Sequence, residues 1–150
     1  MLIYRITKAE YAGQLTASGG PARWNSRNQF VIYTAASRSL ACLENVVHRS
    51  GEGLASLFRV MVIDVPDGIL IDTTEPETLP PDWTDYQQYG FCQQLGGNWL
   101  RQGQSVVLRV PSAIIANEWN YLLNPAHPDF QRVRLLQTEP FLFDPRIKQT

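Results

Sequence analysis

The chain has 150 residues, 44% of them apolar and 11% aromatic, with 13 Lys+Arg against 14 Asp+Glu. A domain of this length buries roughly 68–70% of its unfolded surface without a staple, and the composition excludes a disordered chain. The formal net charge of −1 argues against a dedicated nucleic-acid binder, which carries a basic excess.

Leu2 to Ile6 opens the chain as a short β-rich run, followed by a weakly helical stretch through Thr16. Gly19, Gly20 and Pro21 then force a loop. The run FVIYT, Phe30 to Thr34, is β-branched and aromatic and predicts a strand. A helix is expected from Ser37, an N-cap residue, to a C-cap near Gly51. Leu40, Leu43, Val46 and Val47 share one side of it, and Arg38, Cys42, Asn45 and Arg49 the other.

Leu57 to Val65 is almost continuously apolar and predicts a central strand. Pro66, Asp67 and Gly68 signal a turn before a short strand from Ile69 to Ile71. Residues 73–83 (TTEPETLPPDW) hold three prolines and three acidic residues, which makes them a surface loop. Tyr86 to Leu100 predicts a helix broken at Gly96 and Gly97. Ser105 to Val110 predicts a strand ended by Pro111. NPAHP at 124–128 is rigid turn chemistry, and Val133 to Leu136 and Phe141 to Phe143 look like closing strands. Strands outnumber helices and no regular βαβ alternation appears. The expectation is one α+β domain over residues 1–150, with mainly antiparallel sheets and a few helices packed on them.

No apolar run is long enough to span a membrane, and the opening MLIYRITKAEYAG lacks the parts of a signal peptide. Cys42 and Cys92 make no disulfide framework and have no metal-ligand spacing. A reduced, cytoplasmic protein without a metal is expected. No phosphate-binding Gly-rich loop, HExxH, CxxC or nucleophile elbow is present.

What remains are polar residues in unusual places. Glu44 falls within the apolar arc of the 37–51 helix, one turn on from Leu40. A carboxylate there needs a partner. It is either a structural ion pair, with His48 four residues on or with a strand Arg, or a cleft-facing carboxylate that stabilises developing positive charge. Arg23, beside Trp24 and behind the Gly-Gly-Pro turn, either stacks on Trp24 at the surface or presents a bidentate fork to a phosphate or carboxylate. Tyr33 is either core or a stacking face for a planar heterocycle. Ser112, after the strand-ending Pro111, reads as a cap or as a ligand-binding hydroxyl. Glu118, Asn120 and Asn124 lie downstream, and His127 between two prolines reads as a turn residue. Trp83, Trp99 and Trp119 read as core or rim aromatics.

ARWNS at 22–26, VIYTA at 31–35, SLACLENVVH at 39–48, VPSAIIANEWNYLLNPAHPDF at 110–130 and FLFDPR at 141–146 together resemble the RES-domain family, the toxins of bacterial RES–Xre toxin–antitoxin pairs. The resemblance runs from about Tyr4 to Arg146. It implies a fold like that of ADP-ribosyltransferases, with two packed, mainly antiparallel sheets, flanking helices and a cleft for NAD. It puts the family's Arg, Glu and Ser on Arg23, Glu44 and Ser112, the active-site tyrosine on Tyr33, and a recurrent polar position on Asn124.

The activity implied is cleavage of the nicotinamide–ribose bond of NAD, a substrate here and not a cofactor, with growth arrest as the result. Such cleavage passes through an oxocarbenium-like sugar. It calls for a carboxylate near the ribose, stacking on the leaving ring and a cation on the pyrophosphate. Glu44, Tyr33 and Arg23 suit those roles in that order, and Ser112 would orient the nicotinamide ribose or amide. Water, phosphate or a protein side chain would give a glycohydrolase, a phosphorylase or an ADP-ribosyltransferase. Water is expected ahead of phosphate, with protein modification, or a non-catalytic nucleotide- or partner-binding module, as alternatives. The implied partner is an Xre-like antitoxin that blocks the cleft and makes the DNA contacts, within a complex in which the toxin self-associates as a dimer.

Overall fold

Residues 1–48 and 57–148 are described in a computed structural model of the chain. Among these residues seven strands form one hydrogen-bonded sheet: β1 (Leu2–Lys8), β2 (Ile32–Ala35), β3 (Phe58–Asp64), β4 (Ile71–Thr73), β5 (Val107–Pro111), β6 (Trp119–Leu123) and β7 (Arg134–Phe141). Their order across the sheet is β4-β5-β6-β2-β1-β3-β7. Two helices, α1 (Arg38–His48) and α2 (Tyr89–Gln102), accompany them. Every strand pair is antiparallel except β4 with β5. The α+β class is therefore as expected, with one departure: β4, α2 and β5 make a single βαβ crossover at the sheet edge, as parallel neighbours require.

The sheet divides at its middle. β1 pairs with β3 along its whole length, but β1 and β2 meet only at Tyr4 and Ala35. Alternation of side chains across each strand then sorts the core into three clusters. Ile3, Met61 and Ile63 of one half share a cluster with Ile32, Val107, Tyr121 and Leu123 of the other. The opposite face of the first half, Ile6, Val60 and Val62, is covered by Leu40 and Ala41 of α1. The outer face of the second half, Leu108, Val110 and Leu122, is covered by Cys92 and Trp99 of α2. The two expected sheets are thus the two halves of one sheet, joined at a single pair, with a helix on the outer side of each.

Several elements differ in extent from the sequence reading. The stretch after β1 forms only one 3-10 turn, Ala9–Tyr11. β2 starts at Ile32 and β4 at Ile71, each two residues later than predicted. α1 begins as expected, the Ser37 hydroxyl accepting from the Leu40 backbone N–H at 3.1 Å, while the predicted C-cap at Gly51 lies outside the described residues. α2 runs unbroken through Gly96 and Gly97. Gly96 is there because a Cβ would stand 1.7 Å from the Trp24 carbonyl oxygen. The helix ends at Gly103, which takes the left-handed conformation at φ 60°. The first predicted closing strand falls in β7, which runs on to Phe141, while Leu142 and Phe143 of the second lie beyond it; β7 passes through Pro140 because it is an edge strand whose outer side needs no donor. β6 has no counterpart among the predicted strands.

Candidate active site

A cavity of about 440 Å³ opens where β1 and β2 part. Tyr4, Arg5 and Ile6 of β1 form one wall and Tyr33, Thr34 and Ala35 of β2 another. Ala41, Glu44, Asn45 and His48 of α1 form a third, and the 21–24 segment, Tyr89, Pro111, Ala113 and Asn120 complete it. Splaying two strands inside a hydrogen-bonded sheet leaves main-chain groups without a ladder partner. Here side chains take them. Arg5 Nη1 donates to the Tyr33 carbonyl at 3.2 Å, Asn120 Nδ2 to the Thr34 carbonyl at 3.2 Å, and Asn45 Nδ2 to the Ile6 carbonyl at 3.0 Å.

Glu44 reaches the cavity with its side chain 24% exposed. Glu44 both lines the cavity and is paired. Its Oε2 lies 3.2 Å from His48 Nε2, and the Ser112 hydroxyl points to its Oε1 at 3.5 Å.

Tyr33 also lines the cavity. Its hydroxyl donates to Asn25 Oδ1 at 2.6 Å and accepts from the Trp24 backbone N–H at 3.1 Å. Burial pushes the phenol above its ordinary range, with the Trp24 hydrogen bond opposing. The ring is thus a neutral, fixed aromatic face.

Arg23 lines the cavity, but its fork is not free. Nη1 and Nη2 donate to the Trp83 and Thr84 carbonyls at 2.7 and 2.8 Å. The guanidinium lies 4.6 Å from the Tyr89 ring and 5.6 Å from that of Trp83, so its stacking partners are these and not Trp24.

Ser112 is buried behind the wall. Its Oγ also accepts from the backbone N–H groups of Ile114 and Ile115, both at 3.1 Å. It therefore reaches Glu44 and the start of its own turn, and it is not among the residues that line the cavity. Asn124 does not line the cavity either. It is buried away from the cavity wall, its Oδ1 accepting from the Ala126 N–H at 3.0 Å, so it caps the NPAHP turn. His127 is a turn residue as expected, its Nδ1 accepting from the Asp129 N–H.

Two residues that position the site are not among those the sequence singles out. Arg5 is a half-buried cation on the cavity wall whose only hydrogen bond among the described residues is the one to Tyr33, and burial lowers its pKa. It shares the strand face of Ile3 and sits opposite Met61, next to the point where β1 leaves β2; a strand reading that allowed for the splay would have found it. Asn25, 1% exposed, sends its Nδ2 to the carbonyls of Gly20, Ser26 and Gln29 and its Oδ1 to Tyr33. It ties the loop carrying Arg23 to the strand carrying Tyr33. Among the described residues no group of His, Cys, Asp and Glu could hold a metal ion, and no helix is long and apolar enough to cross a membrane.

The family described as "RES domain" matches residues 2–144. The chain belongs to the RES-domain family. Among RES-domain relatives, "Toxin Res" of Yersinia enterocolitica is 35% identical over 99% of this chain and 100% of that one. "Prs ADP-ribosylating toxin" of Sphingobium sp. (strain YBL2) is 36% identical over 83% of this chain and 79% of its own length. The crystal structure of the M. tuberculosis MbcT–MbcA toxin–antitoxin complex contains a chain of the same fold. It matches at a TM-score of 0.73 and 22% identity, over 94% of this chain and 84% of that one. Within this RES domain the Arg–Glu–Ser set has two placements. Arg23 and Glu44 face the cavity, and Ser112 holds Glu44 from behind.

Proposed function

We propose that the chain is the toxin of a toxin–antitoxin pair and that it breaks the nicotinamide–ribose bond of NAD. The observation that carries this reading is the placement of one carboxylate, Glu44, in the same cavity as the Tyr33 ring and two cations, Arg5 and Arg23. The toxin names of its relatives support the biological role.

The chemistry follows from the residues. As the C1′–N bond breaks, its electron pair goes to the nicotinamide ring nitrogen, which becomes neutral and needs no general acid. Positive charge grows on the ribose, where the Glu44 carboxylate stabilises it. The Tyr33 ring offers a face for the nicotinamide. Arg5 keeps most of its five donors for the pyrophosphate, and Arg23 adds charge and an edge of its fork. The volume falls within the range of small-molecule sites. NAD is the substrate, with no further cofactor or metal in the scheme.

Water is the acceptor in this reading, ahead of phosphate, and the C1′–O bond forms as the acceptor oxygen loses its proton. A second reading, transfer of ADP-ribose to a protein, uses the same bond cleavage and is favoured by the name of the Sphingobium relative. The partner is an Xre-like antitoxin that covers the cavity and carries the DNA contacts, and the toxin works in the cytoplasm.

The test is NAD concentration against time for the purified, antitoxin-free chain, in phosphate and in phosphate-free buffer. Glu44→Gln, which keeps the side-chain volume, should lower the rate about 10²–10³-fold with an unchanged melting curve. Phosphate dependence would identify the acceptor. Absence of NAD loss in both buffers, from folded protein, would overturn hydrolysis and phosphorolysis; a mass increase on a bacterial protein would then establish the transfer reading.

A further inference from the structure

We propose that His48 is a positioning residue for Glu44, and that its protonation switches the site off on the acid side. The proposal rests on the NAD-cleavage reading above and deepens it. α1 places His48 one turn after Glu44, so both side chains look into the same cavity. His48 Nε2 lies 3.2 Å from Glu44 Oε2, and the Ser112 hydroxyl stands at the other oxygen, Oε1. The carboxylate is thus held from both ends. His48 is the more open of the two, its side chain 55% exposed against 24% for Glu44.

The other titratable and charged groups around α1 have different engagements. Arg5 on β1 donates to the Tyr33 carbonyl, Arg59 on β3 to Thr138, and Asp64 faces the N-terminal ammonium. Arg38 on α1 itself pairs with Glu139 of β7, and Asp144 pairs with Arg146. Tyr4 and Lys8 on β1, Tyr33 on β2, and Cys42 also belong to this set among the described residues, and Arg23, bound to the Trp83 and Thr84 carbonyls, and Tyr89 line the same cavity. Among the described residues, Glu44 is the ion-pair partner of His48.

With one proton, on Nε2, the imidazole donates to Oε2 and fixes the carboxylate while leaving its negative charge for the ribose. With a second proton, on Nδ1, the ring is a cation in contact with that carboxylate. The field that stabilises the oxocarbenium-like sugar is then largely cancelled. The sign follows: activity is present while the imidazole is neutral and falls as pH drops through its titration.

The experiment is kcat and KM for NAD as a function of pH for the whole chain, His48→Gln and His48→Ala, with melting curves. At the alkaline end His48→Ala should lose about tenfold in kcat with KM little changed, the size of one ordinary hydrogen bond. His48→Gln, which can still donate, should recover part of that loss. It should also lack the acid-side fall expected of the wild type. A wild-type enzyme that consumes NAD, with a His48→Gln profile superimposable on it, overturns the positioning role and leaves the NAD reading standing. A folded wild type that consumes no NAD at any pH overturns both. Should His48→Ala melt early, the His48→Gln profile alone decides.

Discussion

Arg5 and Glu44 show how differently two charged residues of one site announce themselves. Glu44 falls inside the apolar arc that the order of residues gives its helix, and is visible there, although Leu43 and Val47 of that arc turn out exposed. Arg5 sits in LIYRITK, where a charge in a strand reads as solvent-facing, because nothing local says that β1 loses its neighbour there. Ser112 and Asn124 are legible as polar residues at the ends of strands, but not in which direction they work: the one reaches Glu44, the other its own turn. The Arg5 assignment is testable by Arg5→Lys. Lysine keeps the charge and loses the planar fork. We expect KM for NAD to rise about tenfold, the worth of one charge-assisted hydrogen bond, with kcat affected less; steady-state kinetics with a melting curve would check it. An unchanged KM would remove Arg5 from the substrate's path.

Among the elements, α1 and β3 are legible because their patterns are strong: a capped amphipathic helix, and a nearly unbroken apolar run buried on both faces. β6 is not. Its sequence WNYLL places Asn120 in a central strand, and Asn120 is there for the Thr34 carbonyl that the splayed β1 leaves open. α2 departs from expectation for a related reason. A Gly-Gly pair predicts a break, yet the first glycine marks a contact, since the helix lies directly on the Trp24 carbonyl. Gly96→Ala should therefore cost about 1–3 kcal/mol or more, a fall in Tm of about 2–4 °C for each kcal/mol. Activity should fall with it, because Trp24 adjoins Arg23. Gly97→Ala meets only the end of the Gln29 side chain, at 3.1 Å, and that of Arg101, at 3.2 Å, and should be milder. Thermal melts of the two variants side by side would check this, and equal losses would contradict it.

Across the whole molecule, the cavity exists because the sheet is joined at one pair instead of along a strand. Class and antiparallel character can be read from the alternation of short strands and turns. The seam cannot, since it depends on how far β1 and β2 diverge beyond Tyr4 and Ala35. The parallel β4–β5 pair is hidden in the same way by the brevity of β4. A ligand that fills the cavity bridges the two halves, and binding to the folded state alone stabilises it. NAD added to Glu44→Gln, which should bind without turning over, is expected to slow hydrogen exchange at the amides of β1 and β2 flanking the seam more than at β7. Saturating NAD with no change at those amides would place the nucleotide elsewhere.

The side chains that build the site are fastened largely to carbonyl oxygens of the main chain. Arg23 holds Trp83 and Thr84 in this way, Arg5 holds Tyr33, Asn45 holds Ile6, and Gln93 holds Ala22. Every amino acid carries such an oxygen. The residue that accepts can therefore change identity without the anchor being lost, provided the backbone keeps its path. Drift in the 73–85 loop is in this sense inexpensive, whereas replacing a donor is not. A scaffold fastened like this can diverge to about a third identity, the level it shares with its relatives, while Arg23 still finds its two carbonyl oxygens and Arg5 its one.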